Sequence, residues 1–145
     1  MQKSIALYSL LSLVSLLFLT GCGDKGPKLV PASGKVMLDG QEVQTHPNFK
    51  GGTVVFTPET GKVSYSNILP NGTFVIKTQN KPGVLPGNYI VTANVNSTEI
   101  TLEPYNMPLP VSLSAEKYND TKTSGMTQVV PAGGVKNIVI ELTSK

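Results

Sequence analysis

Glycine and proline recur at short intervals through this 145-residue sequence, which contains 14 Gly and 11 Pro. Both residues are disfavoured inside helices, where glycine costs about 1 kcal/mol and proline about 3 kcal/mol relative to alanine. From Gly23 onward, the segments between them are too short for an amphipathic helix of useful length. These segments instead alternate apolar and polar residues, which is typical of strands with one buried face. We therefore predict an all-β fold for residues 33–145.

The alternation also predicts which side chains face the core. The inward positions are apolar and two residues apart within each segment: Val36 and Leu38; Val54 and Phe56; Phe74 and Ile76; Tyr89, Val91, Ala93 and Val95; Ile138, Ile140 and Leu142. Val75, Lys77 and Val139 lie between them and are expected to face outward. Asp39-Gly40 and Pro70-Asn71-Gly72 predict turns. About seven short strands with turn signals between them are typical of a β-sandwich.

The segment after residue 95 is less regular. At Asn96-Ser97 the apolar phase shifts, so a short return strand is expected to contain Ile100 and Leu102. Pro104–Pro110 is excluded from a central strand, because proline donates no hydrogen bond to a sheet. The stretch "SAEKYND" predicts one helical turn capped by Ser114.

The N-terminal segment has a different composition. Lys3 precedes an apolar run over residues 5–19, which is shorter than the roughly 20 apolar residues that span a bilayer core. A basic start, a short apolar run and small residues before a cleavage point are typical of a secretory signal peptide. The run ends in "LTGC", which resembles the bacterial lipoprotein signal, in which Leu and two small residues precede Cys. The cysteine is Cys22, the only one in the chain.

This resemblance implies that Cys22 receives a diacylglyceryl group through a thioether and that the chain is cut between Gly21 and Cys22. One acyl chain anchors a protein only marginally, so two or three chains are expected on Cys22. The predicted organisation is a signal peptide over 1–21, a lipidated tether over 22–32 and a sandwich domain over 33–145. The alternative is an ordinary signal peptide with an incidental cysteine.

Composition excludes some classes of function. No cysteine remains after Cys22 to form a disulfide, although an exported protein could hold one. All twelve basic residues are lysines, and they are spread along the sequence. Arginine supplies the planar donor group that grips phosphates, so its absence argues against nucleic acid as a partner.

The ordered set of motifs resembles a family. It comprises "ASGKVMLDGQEV" at 32–43, "GGTVVFTP" at 51–58, "NGTF" at 71–74, "PGNYIVTA" at 86–93, "LSAEKYNDTKTSGMTQVV" at 113–130 and "KNIVIEL" at 136–142. With the N-terminal signal, the set is similar to small lipoproteins of planctomycete-type bacteria that carry a carboxypeptidase-regulatory-like, or transthyretin-like, domain. The resemblance implies a seven-stranded, immunoglobulin-like sandwich of the transthyretin (prealbumin) type. It carries over no catalytic motif, and only Cys22 transfers as a functional residue.

Candidate catalytic and metal-binding residues are few. His46 is the only histidine, and no G-x-S-x-G nucleophile motif accompanies it. A zinc site needs three or four ligands, so His46 is expected to be a solvated loop residue. Glu116 and Asp120 lie in an oxygen-rich stretch, but it lacks the alternating spacing of a calcium loop. We therefore predict no catalytic, cofactor or metal site.

These observations lead to one expected function and one alternative. The first is a non-enzymatic, exported protein, held on the cell membrane or outer membrane through Cys22, that acts as a structural or protein-interaction module. Loops or an exposed strand edge would make its contacts. The alternative is a binding protein for a small molecule or glycan, which would require a pocket with convergent polar groups.

Overall fold

The described residues form two β-sheets. The computed structural model describes residues 28–100 and 108–145. The predicted lipidation and cleavage residues, Gly21 and Cys22, lie outside these ranges. Within them, no helix has the length and apolarity needed to cross a membrane.

The smaller sheet has four strands and is built around β1. Strand β1 (Ala32–Leu38) pairs in parallel with β11 (Val135–Leu142). It also pairs antiparallel with β2 (Gln41–Glu42) and with β5 (Thr73–Val75). Strand β1 is therefore central, and β11 forms one side of this sheet.

The larger sheet has seven strands in the order β10-β8-β3-β4-β6-β7, and β9 also pairs with β8. Their bounds are β3 (Gly51–Pro58), β4 (Ser64–Asn67), β6 (Lys77–Thr78), β7 (Lys81–Pro82), β8 (Gly87–Ile100), β9 (Pro108–Ser112) and β10 (Met126–Val130). Short 3-10 turns cover Val43–Thr45 and Glu116–Asn119. The described residues thus form eleven strands rather than the expected seven, although seven of them have four residues or more.

The core lies between the two sheets. Every inward position that the alternation predicts is buried, and Phe56, Phe74 and Ile76 are fully enclosed. Full burial of a side chain of this size contributes about 1.5–3 kcal/mol. The ring of Phe56 packs against Tyr89 with 5.6 Å between ring centroids. The prediction of an all-β sandwich with these faces inward is confirmed.

The stretch "TFVIKT" does not form one continuous strand. Its first half is β5 in the smaller sheet, and its second half is β6 in the larger sheet. The chain changes sheets at Ile76, whose N–H donates to the carbonyl of Ala32 at 2.9 Å. The carbonyl of Ile76 accepts the N–H of Gly83 at 2.8 Å. Ile76 therefore stays fully hydrogen-bonded while it joins the two sheets.

A bulge interrupts the pairing of β1 with β11. Ala32 pairs with Val135 and Gly34 pairs with Ile138, so β11 contains one extra residue in this interval. The extra residue is accommodated at Asn137, which has a φ of +60°, a left-handed conformation that asparagine tolerates. A Cβ on Gly34 would collide with the backbone carbonyl of Ile138. Gly34 is thus required by the close approach of the two backbones.

Gly34→Ala is expected to lower the free energy of unfolding by about 1–3 kcal/mol, because the added methyl must push β1 away from β11. Urea denaturation measures the change. Gly133→Ala is the matched control, since a Cβ there meets nothing within 4 Å and Gly133 does not need a positive φ. Equal stability of the two variants would contradict this account of the bulge.

The chain does not turn back after Asn96-Ser97, where the shift in apolar phase predicted a return strand. Strand β8 continues through it to Ile100, and the return strand is β9, which begins at Pro108. The hydroxyl of Ser97 donates to the carbonyl of Val111 at 3.4 Å, so this polar side chain is satisfied within the sheet. The proposed return strand at Ile100 and Leu102 was wrong, and Leu102 lies outside the described residues. Strand β9 pairs with β8 alone, as its prolines require.

The predicted helical turn exists, but Ser114 does not cap it. Its cap residue is Ala115, and the Ser114 hydroxyl instead accepts the N–H of Val95 at 3.2 Å. Tyr118 in this turn is buried, with its hydroxyl 3.3 Å from that of Thr143. The Ser114 hydroxyl, which the sequence pattern predicted as the cap of the turn, therefore serves as the acceptor for the buried N–H of Val95.

The folded region begins before Ser33. Val30 is buried, and it exchanges two backbone hydrogen bonds with Val84, at 2.8 and 2.9 Å. Ala32 is fully buried at the start of β1. The last three residues of the segment expected to be a tether, 30–32, thus run within the sandwich, because Val30 and Ala32 bury their side chains there.

Candidate interaction surface

His46 does not sit in a cluster of potential metal ligands. It directly follows the first 3-10 turn, and its Nδ1 accepts the N–H of Asn48 at 3.3 Å. Across residues 28–100 and 108–145, no three His, Cys, Asp or Glu side chains come together as a ligand set. The structure therefore places His46 in a partly exposed loop with a local hydrogen bond.

Asp39 links two distant parts of the chain. Its carboxylate accepts the N–H of Ser144, 105 residues away, at 2.9 Å. This hydrogen bond, with a smaller contribution from the charge of His46, holds the pKa of Asp39 below its usual range. The turn after β1 is thereby tied to the end of β11, which is a structural role for this carboxylate.

A lowered folded-state pKa means that Asp39 stabilises the fold above about pH 4, its range in unfolded chains, and that this contribution is lost as the pH falls further. The urea midpoint of the native protein is expected to fall over this acidic window, and that of Asp39→Asn to fall less. Carboxyl NMR titration of Asp39 in native and urea-unfolded protein provides the control. If the Asp39 carboxyl titrated at the same pH in the native and the unfolded protein, the hydrogen-bond account would be contradicted.

The oxygen-rich stretch after β9 is occupied by local contacts. Glu116 forms an exposed ion pair with Lys145 at 3.4 Å, and Asp120 accepts the backbone N–H of Lys122 at 2.8 Å. Asp120 therefore organises a turn, while Glu116 points toward the end of the chain. The two carboxylates do not converge with a third acidic side chain in the described residues.

The structure also contains an exposed apolar surface, which was not identified from the sequence. It consists of Tyr65, Leu69, Val75 and Val139, with exposed fractions of 43%, 45%, 44% and 49%. We name this set the Val75 surface. Two surface grooves meet at Val75: Val139 lines the first, and Tyr65 and Leu69 line the second. The four side chains therefore border one continuous region.

The first groove lies on the outer face of the smaller sheet and has a volume of about 580 Å³. Val75 pairs with Ser33 across β5 and β1, and Lys35 pairs with Val139 across β1 and β11. The pairing brings two apolar side chains to the same face, on either side of β1. Asn137 of the bulge also lines this groove.

The second groove, of about 490 Å³, lies on the outer side of β4 and β6. Tyr65 pairs with Lys77 there, and the Tyr65 hydroxyl donates to Oδ1 of Asn80 at 3.3 Å. Leu69 and Val75 form its apolar side. This groove therefore combines an exposed aromatic ring, an amide and a lysine.

The change of sheets at Ile76 positions Val75 between the two grooves. The Val75 N–H donates to Oγ of Ser66 at 3.1 Å, and Ser66 donates in turn to the carbonyl of Asn67 at 2.8 Å. Because Ile76 is fully buried, Val75 must point outward. The location of the Val75 surface thus follows from the path of the backbone.

The charges around the Val75 surface are uneven. At the rim of the first groove, Lys35 is paired with Glu42 at 3.0 Å. The second groove is lined by Lys77 and by no carboxylate. A partner that carries an acidic side chain beside an apolar one would complement this arrangement.

Sequence reasoning correctly placed Val75 and Val139 on outward faces, but it did not bring them together. The only signal was a large apolar residue at an outward position in two different strands. Their proximity depends on the parallel pairing of β1 with β11, which joins segments about a hundred residues apart.

Comparison of the chain with protein-family models, with curated proteins and with solved structures found no match in any of the three sets.

Proposed function

We propose that this chain is a lipid-anchored protein of the bacterial cell envelope, and that its sandwich is a non-enzymatic interaction module. The observation that carries the proposal is the single cysteine, Cys22, which follows "LTG" at the end of a short apolar run. The anchored form is exported and faces away from the cytoplasm on the cell membrane or outer membrane. Val30, which bridges to Val84 in the sandwich, lies only eight positions after Cys22, which suits a short tether.

We further propose that the sandwich is of the immunoglobulin-like, transthyretin type. The Tyr89 hydroxyl donates to the carbonyl of Leu85 at 2.8 Å. A tyrosine whose hydroxyl bonds to the backbone a few residues upstream is a feature of immunoglobulin-like sandwiches. The motif order from 32–43 to 136–142 agrees with the same type. In carboxypeptidases, a domain of this kind sits beside the catalytic domain and performs no chemistry.

Cys22→Ser is expected to abolish lipid attachment and to leave uncleaved precursor, because a hydroxyl cannot replace the thiolate as the nucleophile. Metabolic labelling with a radioactive fatty acid and the mass of the purified protein measure the two effects. Thr20→Ala is the matched control and should be lipidated normally, since alanine is also small. Fatty-acid label on the Cys22→Ser protein would overturn the proposal.

The proposed partner is another envelope protein that buries an apolar segment on the Val75 surface. Four large apolar side chains around two grooves exceed the scattered exposure that is normal for a surface. Lys77 lies in the second groove without a carboxylate among its lining residues, so the partner segment is expected to carry an acidic residue. Burial of the apolar side chains supplies affinity, and the charge pair supplies specificity.

A photo-crosslinking amino acid at position 75 is expected to give one discrete heavier adduct in intact envelopes. The same amino acid at position 129 is the control, because Val129 is 62% exposed but lies outside both grooves. Val139→Glu should weaken the adduct at position 75 by placing a charge in the first groove. Equal adducts at 75 and 129, or an adduct of twice the chain mass, would contradict a specific foreign partner.

A glycan is the second candidate ligand, and one observation favours it. The exposed ring of Tyr65 lies beside the amides of Asn67 and Asn80, and this combination of stacking and hydrogen-bonding groups suits a sugar. With a glycan ligand, crosslinking at position 75 gives no protein adduct, and Tyr65→Ala loses binding to envelope polysaccharide.

A further inference from the structure

One end of the sandwich collects lysines that are spread out in the sequence. Strand pairing places Pro58 beside Tyr89 and Val130 beside Gly87, so these strand ends lie together. Val30 bridges to Val84 at the same end, where the chain enters the fold. We name it the chain-entry end, and it comprises residues 28–32, 58–62, 77–87 and 130–136.

The chain-entry end is strongly basic. It carries five lysines and one carboxylate, a formal net charge of +4: Lys28, Lys62, Lys77, Lys81, Lys136 and Glu59. All six residues are exposed. Among the described residues, none of these lysines forms an ion pair, and the one hydrogen bond recorded for Lys62 is to the neutral amide of Gln79, at 2.7 Å.

The opposite end is nearly balanced. Its described side chains include four lysines and five carboxylates: Lys50, Lys117, Lys122, Lys145, Asp39, Glu42, Glu116, Asp120 and Glu141. Both ion pairs found in the described residues use carboxylates of this end, Glu42 and Glu116. The charge asymmetry therefore follows the long axis of the strands and is directed toward the point where the chain enters.

We propose that the chain-entry end docks on anionic lipid headgroups, an inference that rests on the proposed lipid anchor at Cys22. Each lysine near an anionic bilayer strengthens association about fivefold, and the effect decays over about 8 Å at physiological salt. Residues 22–29 can reach at most about 25–30 Å when fully extended. An anchor of this length keeps the basic end at high effective concentration beside the bilayer, so weak contacts suffice to orient the domain.

The experiment uses the mature lipidated protein in vesicles of phosphatidylcholine, with or without phosphatidylglycerol. A membrane-impermeant acylating reagent modifies exposed lysines, and peptide mass spectrometry measures each one. In anionic vesicles at low salt, Lys62, Lys81 and Lys136 are expected to lose reactivity by about fivefold or more. Lys50, Lys122 and Lys145 should not change. About 1 M salt, which shortens the screening length to about 3 Å, should restore all reactivities.

A charge-matched pair of variants tests the same point. The triple variant Lys62→Gln, Lys81→Gln, Lys136→Gln should leave Lys77 as reactive in anionic vesicles as in neutral ones. The control Lys50→Gln, Lys122→Gln, Lys145→Gln removes equal charge from the other end and should leave Lys77 protected. Exposed substitutions of this kind usually change stability by less than about 0.5 kcal/mol, so both variants are expected to fold.

The outcomes separate this proposal from the anchor. Flotation of the protein with vesicles at about 1 M salt reports the lipid on Cys22 alone, because electrostatic contacts are then screened. A protein that floats but shows equal lysine reactivity in both vesicle types keeps its anchor and refutes the docking. Protection of all lysines alike would also refute docking by one end. A protein that does not float at high salt overturns the anchor itself.

Discussion

At Ile76 the chain crosses from the smaller sheet to the larger one, and this crossing ties the two sheets together. At this residue, one buried apolar side chain fills the core while its backbone bonds to Ala32 on one side and to Gly83 on the other. The crossing brings β5 against β1 and β6 against β4, so it holds the two sheets in one arrangement. It also forces Val75 outward, where the two surface grooves meet.

The folded part has no disulfide available to it, because Cys22 is the only cysteine. Its cohesion comes from apolar burial and from complete pairing of the polar groups inside. In the described residues, every buried side-chain nitrogen or oxygen has a hydrogen-bond partner. One example is Thr78, which contacts the hydroxyl of Ser64 at 2.7 Å and donates to the carbonyl of Gly83 at 2.8 Å. A core satisfied in this way leaves the outer faces free to serve contacts.

Two outer regions have distinct physical characters that suit distinct contacts. The Val75 surface is apolar with one lysine beside it, which suits a protein segment or a sugar. The chain-entry end is basic and polar, which suits an anionic bilayer. A lipid on Cys22 would bring the second region toward the membrane and leave the opposite, nearly neutral end pointing away from it. The two regions share Lys77 and Asn80, which line the second groove, and their other residues are distinct.

The strand faces and most turns could be predicted from the amino-acid sequence, because alternation has a period of two residues and Asp-Gly favours a tight turn through local backbone preferences. Prediction failed at Ser97, where β8 continues instead of turning back, and at Ser114, whose hydroxyl accepts the distant N–H of Val95 instead of capping the helical turn. The placement of Val139 near Val75, and of five scattered lysines at one end, became visible only in the folded chain. Those results depend on which strands pair, and pairing is set by contacts between segments far apart in the chain, which no local pattern records.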